Sequence, residues 1–411
     1  MNMKVSSLTD FWLKWGNSKI NILIIWRGWW NHDAPNLTDT IMLASFDTKT
    51  NIISMLSIPR DLLVIIDQKG TKSKINEIYA RHLEWKKKSK EEAIIPLEEK
   101  VTQITGEKID YFVNLDFEWF KKFIDFIWGV EVTVEENLVD NEYPTENGGY
   151  ETFMIKKGTW VFDGETALKY ARSRHSTSDF NRSIRQQKIV NAIKNQVIQE
   201  GFLTSPSKIT QIYSILSTYI STNLDLQTII SLALNAKQGN QILSFNLNDS
   251  CFLTGLCFKG GFLYVPPKES FNWWSVLIPQ KWDAVSVEKY DDIKKYSNLI
   301  FNVRDIFTDN IEIKIYNSTK QTNLARIFGN EIYRFGFNVP NWSLWNTKWE
   351  RFPVTEILYN NLDDSSSTLS SLSTIINAPL KKIDKPLYSG SWSTKIEVII
   401  WDDYQKYLNS F

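Results

Sequence analysis

Four arginines lie within fourteen positions near the middle of the chain, across the junction between two predicted helices. They are Arg172, Arg174, Arg182 and Arg185. Because residues three and four apart share a helix face, Arg182, Arg185 and Gln186 lie together in the first turns of the second helix. Guanidinium groups and the free N–H groups of a helix N-terminus both bind phosphate oxygens. The segment therefore predicts an anion-binding site, and the alternative is a solvated surface of salt bridges.

A second basic cluster follows an apolar strand that we predict at Ile52–Ile58. Arg60 and Asp61 come almost directly after it, so that Arg60 lies at the carboxyl end of a strand, where α/β sheets bind ligands. Lys74 and Asn76 follow a few residues later and add a cation and an amide. Taken alone, a strand-end arginine is as often structural as functional.

Acidic residues precede the neighbouring predicted strand, which begins at Thr40. Asp39 comes directly before it, and Asp33 lies in the preceding loop. One or two carboxylates, completed by water and phosphate, are how proteins usually hold Mg²⁺. The alternative for Asp39 is a turn cap. Together with the arginines these carboxylates predict a diphosphate site, because phosphoryl transfer depends on positioning and charge neutralisation.

The elements that position these residues alternate between strand and helix over the first 200 residues. Ile20–Ile25 is an apolar run, and Phe117, Phe120, Ile124 and Ile127 mark one helix face. This alternation predicts an α/β sheet covered by helices. We assign residues 1–18 to a leader whose anchor is absent or truncated, 19–282 to the domain carrying the predicted site, 283–308 to a linker, and 309–411 to a second, small α/β domain.

Composition excludes some functions and contains one anomaly. Forty-seven basic residues balance 47 acidic ones, which disfavours a dedicated nucleic-acid-binding protein. Nucleotide-dependent enzymes are disfavoured too, since the sequence has no Gly-x-x-x-x-Gly-Lys loop and no kinase motifs. Two cysteines, Cys251 and Cys257, are too few for a cysteine-based zinc site, and whether they pair stays open.

The anomaly is that tryptophan and glycine each occur 17 times. Glycine normally makes up about 7% of residues, and here it makes up about 4%. Either the protein is rich in tryptophan, or UGA codons that its organism reads as glycine have been translated as tryptophan. We hypothesise the second, because several tryptophans stand where a loop or helix end favours glycine, as Trp128 does beside Gly129.

The motifs occur in the order and approximate spacing of a known family of cell-envelope proteins. The matching strings are Thr38-Asp39-Thr40-Ile41-Met42-Leu43, Leu56-Ser57-Ile58-Pro59-Arg60-Asp61, Lys74-Ile75-Asn76-Glu77-Ile78-Tyr79-Ala80, Leu115-Asp116-Phe117, Asp163-Gly164-Glu165-Thr166-Ala167-Leu168-Lys169-Tyr170-Ala171-Arg172-Ser173-Arg174 and residues 179–187. On these strings the chain resembles the LytR–CpsA–Psr family across residues 19 to about 200. Residues 309–403 also resemble the C-terminal domain often attached to such proteins.

The resemblance implies an α-β-α sandwich with a mixed central sheet, and a magnesium-dependent phosphotransferase at the outer face of the cytoplasmic membrane. Family members move a glycopolymer from a polyprenyl-diphosphate carrier to peptidoglycan and form a phosphodiester. Carried over, Asp39 is a metal ligand, and Arg60, Arg174 and Arg182 grip the diphosphate. The remaining expected diphosphate-binding positions are Arg172, Arg185, Gln186, Asp61, Lys74 and Asn76. The expected partners are the lipid-linked glycan, peptidoglycan and the membrane surface, without nucleic acid.

The sequence departs from the family pattern in three places. The family's first metal-binding aspartate meets Arg27-Gly28 here, so Asp33 is a substitute candidate. Asn181 replaces a glycine ahead of the helix arginine. Tryptophan stands at usual glycine positions, namely Trp26, Trp119, Trp128 and Trp401. The altered metal loop keeps an alternative open, a non-catalytic protein that binds polyprenyl phosphate or wall glycan.

Overall fold

The computed structural model describes residues 19–27, 36–145, 149–173, 179–202, 214, 220–225, 228–229, 232, 241–249, 259–271, 274–279, 288–340, 344–346, 354–387 and 395–404. The chain divides into two compact units. Unit 1 comprises Met1–Leu247 and Val265–Tyr290, and unit 2 comprises Asn248–Tyr264 and Asp291–Phe411. The predicted leader, Asp33, Arg174 and both cysteines lie outside the described residues.

Strands and helices alternate through much of both units. The strands are β1 Lys19–Arg27, β2 Thr38–Asp47, β3 Ile52–Ile58, β4 Leu63–Ile65, β5 Lys72–Lys74, β6 Tyr111–Leu115, β7 Val130–Val134, β8 Leu138–Pro144, β9 Tyr150–Ile155, β10 Gly158–Phe162, β11 Ser221–Thr222, β12 Gln241–Asn246, β13 Asn248–Asp249, β14 Gly261–Tyr264, β15 Ile278–Pro279, β16 Ile313–Asn317, β17 Leu344–Asn346, β18 Glu356–Tyr359, β19 Leu380–Lys382 and β20 Ile396–Ile400. The α-helices are α1 Glu77–Ala80, α2 Lys90–Thr105, α3 Phe117–Phe126, α4 Gly164–Arg172, α5 Asp179–Gln199, α6 Asp291–Asn298, α7 Asp305–Thr308, α8 Leu324–Arg334 and α9 Ser367–Ile376. Short π-helical segments, Arg81–Trp85 and Leu299–Val303, continue α1 and α6, and 3₁₀ turns occur at Lys268–Phe271 and Asp402–Tyr404.

Unit 1 is built on a mixed six-stranded sheet, as the resemblance implied. Its strands have the order β11-β6-β1-β2-β3-β12. Strand β2 is antiparallel to β1 and to β3. Thr38, at the start of β2, pairs with Arg27 at the end of β1, and Ile41 pairs with Ile58 at the end of β3. The first residues of β2 and the last residues of β1 and β3 therefore share one edge of the sheet.

Helices α3, α4 and α5 pack in one apolar cluster with the end of β1 and with β6 and β7. The predicted apolar face of α3 is buried, and Asp116 caps the helix by accepting the Trp119 N–H at 2.7 Å. Gly164 begins α4 where that helix meets α3: a Cβ added to it would lie 2.2 Å from the Lys121 carbonyl oxygen. The glycine of the Asp163-Gly164 motif therefore permits a backbone contact that no other residue allows.

Unit 2 contains a second mixed sheet with the order β17-β16-β20-β18-β19. Its central strands β16 and β20 are buried along their whole length, and α8 packs against β16 and β17. A small α/β unit at this end of the chain agrees with the sequence analysis. Among the described residues of both units, no helix has the length and apolarity needed to cross a bilayer.

The segment 283–308, which we interpreted as a linker, is largely helical instead. Residues from 291 onward belong to unit 2 and form α6, the π-helical segment and α7. Ile293, Tyr296 and Ile300 are fully buried, whereas Asp291, Lys294 and Lys295 of α6 are exposed. We interpreted the segment as a linker because it is rich in charged residues, although its apolar residues recur at the spacing of an amphipathic helix.

Candidate functional site

One pocket opens at the edge of the unit 1 sheet where β2 begins and β3 ends. Its lining comes from β2, from the residues at the end of β3, from α5 and from the residue after β12: Asp39, Thr40, Ile41, Ser57, Ile58, Pro59, Arg60, Arg182, Gln186 and Leu247. Four of the ten positions, Asp39, Arg60, Arg182 and Gln186, are predicted site residues. Segments more than 140 positions apart in the chain thus converge on one cavity, as the sequence motifs required.

Arg60 and Arg182 both contact Asp39. The Arg60 Nη1 lies 2.5 Å from the Asp39 Oδ1, and the Arg182 Nη2 donates to the Asp39 carbonyl oxygen at 3.4 Å. The Arg60 and Asp39 side chains are 22% and 31% exposed, whereas Arg182 is 7% exposed. Among the residues that line the pocket, the charged side chains are thus two guanidinium groups, Arg60 and Arg182, and one carboxylate, Asp39. Guanidinium groups are suited to binding phosphate oxygens.

Asp61, Lys74 and Asn76 hold the loop that carries Arg60. Lys74 Nζ lies 2.6 Å from one oxygen of Asp61, and Arg60 Nε lies 3.6 Å from the other. The backbone N–H of Asn76 donates to the Arg60 carbonyl, and its own carbonyl accepts from the Thr38 N–H at 3.2 Å. These three residues, predicted to bind diphosphate, therefore tie the ends of β2 and β3 together around Arg60.

Gln187 fixes α5 over the pocket and was missed by the sequence analysis. Its Nε2 donates to the Ser57 Oγ and to the Phe245 carbonyl, both at 2.9 Å, and the residue is 3% exposed. It thereby joins α5 to β3 and β12. The helical period indicates which residues share a face with Arg182, but not which strand atoms that face will meet.

Arg185 points away from the pocket, although it shares a helix face with Arg182. Its Nε donates to the Tyr170 carbonyl at 3.0 Å, and its Nη2 donates to the Ser173 carbonyl. Burial lowers the pKa of its guanidinium from the ordinary value. Gln186, in contrast, lines the pocket. Arg185 thus satisfies carbonyls at the end of α4, which a helix terminus otherwise leaves without partners.

Arg172 lies among aromatic rings. Its guanidinium carbon is 4.6 Å from the Phe117 ring centroid and 5.5 Å from that of Tyr143, and its Nη1 donates to the Tyr143 Oη at 3.1 Å. Burial raises the pKa of Tyr143 to about 12, so that its hydroxyl stays protonated at neutral pH. Tyr143, in β8, carries no motif that would have identified it from the sequence.

The described residues fit a magnesium ion that is held mainly by water and phosphate. Asp39 offers a partly exposed carboxylate at the pocket, and no group of three or more His, Cys, Asp or Glu side chains occurs in the described part of the chain. Mg²⁺ is often bound through one or two carboxylates together with substrate phosphates. Asp39 is the protein ligand that this arrangement supplies.

The profile of the LytR_cpsA_psr family matches residues 4–272. The chain belongs to this family. The resemblance inferred from the motifs is therefore confirmed for unit 1.

Individual relatives match over shorter stretches. Polyisoprenyl-teichoic acid–peptidoglycan teichoic acid transferase TagV of Bacillus subtilis is 32% identical over 178 residues, which are 42% of this chain and 42% of TagV. The transferase of the same description named TagU, also from B. subtilis, is 28% identical over 188 residues, or 45% of this chain and 54% of TagU. The chain thus spans about half the length of these curated relatives.

Protein gbs0355 from Streptococcus agalactiae has a crystal structure similar to this chain, with a TM-score of 0.51 at 20% identity. The match covers 73% of this chain and 90% of that one. The likeness supports the fold.

Proposed function

We propose that this protein transfers a glycopolymer from a polyprenyl-diphosphate carrier to a hydroxyl of peptidoglycan, at the outer face of the cell membrane. The observation that carries the proposal is the convergence of Arg60 and Arg182 on Asp39 in one pocket. Family membership supports the same reaction class, because relatives are named as transferases of teichoic acid to peptidoglycan. The transferred polymer is an anionic or neutral glycan linked through phosphate.

In this reaction the acceptor oxygen forms a bond to the phosphorus nearest the glycopolymer. The bond from that phosphorus to the bridging oxygen breaks, and polyprenyl phosphate departs. Negative charge on the phosphate oxygens must be held in place throughout, since phosphoryl transfer is catalysed mainly by positioning and electrostatics. Arg60 and Arg182 bind and orient those oxygens with planar guanidinium groups.

Asp39 has two functions in the proposal. Its carboxylate orients Arg60 through the 2.5 Å contact, and it is the protein ligand for Mg²⁺. The metal, when bound, supplies positive charge that offsets the charge of the leaving phosphate. Transfer should therefore stop on chelation and recover on addition of Mg²⁺.

A transfer assay tests the proposal. The chain is incubated with a radiolabelled glycan on a polyprenyl diphosphate, peptidoglycan and Mg²⁺, and label in the insoluble wall fraction is counted. Arg182→Ala should lower the transfer rate by about 10²–10³-fold if Arg182 stabilises charge in the transition state. Arg326→Ala is the matched control, because Arg326 is an exposed arginine of α8 in unit 2.

Two outcomes would contradict the proposal. Equal rates for the Arg182→Ala chain and the parent chain would show that the pocket does not carry out the reaction. Tight binding of the lipid-linked glycan without any transfer would favour the alternative of a non-catalytic binding protein. Equilibrium binding, measured on the same samples, separates the two outcomes.

A further inference from the structure

Trp128 occupies a backbone position that favours glycine. Helix α3 ends with two hydrogen bonds that define a Schellman motif: the Trp128 N–H donates to Asp125 O at 3.0 Å, and the Gly129 N–H donates to Ile124 O at 2.8 Å. In this motif the residue after the C-cap is left-handed and is usually glycine. Trp128 holds that place with φ +64°.

Tryptophan is unusual among the other left-handed residues. Five of the eight described residues other than glycine with positive φ are asparagines, whose short side chain tolerates that region: Asn51, Asn310, Asn323, Asn361 and Asn377. Trp128 is the one aromatic residue among them, and it is 62% exposed. Its ring lies 5.4 Å from that of Phe202, centroid to centroid, but most of its surface stays in contact with solvent.

Trp26 and Trp119 show a different misfit. They are 2% and 5% exposed, in the apolar cluster between the sheet and helices α3 to α5. The Nε1 atoms of both indoles are buried, and no hydrogen-bond acceptor for them occurs among the described residues. A buried N–H without an acceptor loses its hydration with no replacement, and tryptophans in folded proteins usually avoid this.

Other tryptophans of the chain fit their surroundings. The Trp160 Nε1 donates to the Lys156 carbonyl at 3.0 Å, and the Trp85 ring stacks under the Arg81 guanidinium at 4.6 Å. The misfit is thus a property of particular positions and not of tryptophan as a residue type in this fold.

We propose that positions 26, 119 and 128 are glycine in the protein that the source cell makes, because its gene carries UGA there and the cell reads UGA as glycine. Glycine at 128 removes the strain of the left-handed residue, and glycine at 26 and 119 removes two buried N–H groups.

Glycine in place of Trp26 and Trp119 would also change the packing inside unit 1. The Trp26 ring centroid lies 5.0 Å from that of Phe120, and the Trp119 ring stacks on Phe123 at 4.9 Å. Glycine at both positions would leave an unfilled space in the apolar layer beside the end of β1, with about the volume of two indole side chains. The transfer assay should therefore be run on the chain with glycine at both positions as well as on the tryptophan-containing chain.

Mass spectrometry of the protein purified from its own cells tests the proposal without reference to activity. Trypsin releases 20–27, 109–121 and 123–156 as separate peptides, each with one of the three positions and no other tryptophan. Fragment spectra should place glycine at each position. Tryptophan at all three, or UGG triplets in the gene, would overturn the proposal, and tryptophan at one position would overturn it there.

A stability measurement tests the geometric argument separately, in the full chain made with defined codons. Trp128→Gly should lower the equilibrium constant for unfolding about fivefold, because the strained left-handed residue is relieved. Trp128→Ala removes the same ring but keeps the Cβ, and should give no such gain. Trp85→Gly, at an exposed helical residue, should not stabilise the chain either. A gain for alanine equal to that for glycine would show that the ring, and not the backbone, is at fault.

Discussion

Two groups of arginines lie close together in unit 1 and differ in what holds them. Arg60 and Arg182 line an open pocket and meet a carboxylate and a carbonyl of Asp39. Arg172 and Arg185 are held by protein groups alone among the contacts described above, the first by two aromatic rings and a hydroxyl, the second by backbone carbonyls of α4. The first pair lines the pocket, where the proposed function has it bind phosphate, whereas the second pair contacts neighbouring aromatic side chains and backbone carbonyls.

The difference shows that a cluster of arginines in sequence need not form one binding site. Each guanidinium has five N–H donors, and a donor already bonded to a buried carbonyl cannot leave it without exposing an unsatisfied acceptor. Arg182 and Arg185 are both 7% exposed, so burial does not distinguish them; a place in the lining of the pocket, which Arg182 has and Arg185 lacks, does. Substitutions in the two groups should separate effects on turnover from effects on folding.

The largest effect is expected for Arg60. Arg60→Ala should lower the rate of glycopolymer transfer by about 10²–10³-fold, since the residue would stabilise charge that develops on phosphate. Its side chain is 22% exposed, and its ion pair with Asp39 is partly solvated, so the free energy of unfolding should change by less than about 1 kcal/mol. The rate is measured with saturating lipid-linked substrate, and stability by urea unfolding.

Arg60→Lys sharpens this test because it keeps the charge and removes the planar fork. An intermediate rate would indicate that bidentate geometry contributes to catalysis. An unchanged rate for Arg60→Ala would contradict the prediction and would indicate that Arg60, like Arg172 and Arg185, has a structural role.

Arg185→Ala should act mainly on stability. The substitution leaves two carbonyls at the end of α4 without donors, and hydrogen bonds to charged groups contribute about 1.5–3 kcal/mol each. We therefore expect the free energy of unfolding to fall by about 3 kcal/mol or more, as measured by urea unfolding. The transfer rate per folded molecule should fall much less than for Arg60→Ala. A loss of rate equal to that of Arg60→Ala, with stability intact, would contradict the division into two groups.

The sequence predicted the elements of the fold more completely than the functions of individual side chains. We could predict where α3, β1, β2 and β3 lie in the sequence from the spacing of their apolar residues. Burial of one face imposes that spacing on each element. The same reasoning placed Arg182, Arg185 and Gln186 on one face of α5. It could not distinguish Arg182 from Arg185, because a step of three residues turns a side chain by about 60° around the helix, and only the packed neighbours show what it then meets.

Contacts between segments that are distant in the sequence could not be predicted either. Lys74 is paired with Asp61, and Tyr143 holds Arg172, through contacts that depend on hairpins whose register no short motif reveals. Asp39 was found because it lies in a motif shared with the family, and its contact with Arg60 needed the structure. Asp33 and Arg174 lie outside the described residues, so their assigned functions stay predictions.

Tyr143→Phe should lower the free energy of unfolding by less than Arg185→Ala does. It removes the hydroxyl that accepts from Arg172 but keeps the ring that the guanidinium faces. The expected loss is about 1 kcal/mol in the free energy of unfolding, the usual contribution of one hydrogen bond. Because burial raises the pKa of Tyr143 to about 12, the loss should be constant between about pH 6 and 9. Tyr150→Phe is the control, since Tyr150 is 71% exposed, and an equal loss there would contradict the assignment.

The smallest effect is expected in unit 2, far in sequence from the pocket residues. Glu397 in β20 is 1% exposed and accepts hydrogen bonds from the Leu387 N–H at 2.8 Å and the Tyr316 hydroxyl at 3.3 Å. Burial raises the pKa of its carboxyl group, while these donors and Lys314 oppose the rise. A raised folded-state pKa means that the folded chain binds the proton more tightly than the unfolded chain does. The resulting stabilisation is complete below the unfolded pKa of about 4.3 and is lost as pH rises through the folded pKa.

Glu397→Gln should remove that pH dependence, because the amide resembles the protonated carboxyl group at every pH. Urea unfolding of both chains from pH 4 to 7 should show the variant gaining on the parent as pH rises, by less than the effects expected in unit 1. Asp402→Asn is the control, since Asp402 is an exposed acid of the same unit. A difference between parent and variant that does not vary with pH would mean that the pKa of Glu397 is the same in the folded and the unfolded chain, and would contradict this prediction. Its hydrogen bonds and Lys314 would then offset the effect of its burial.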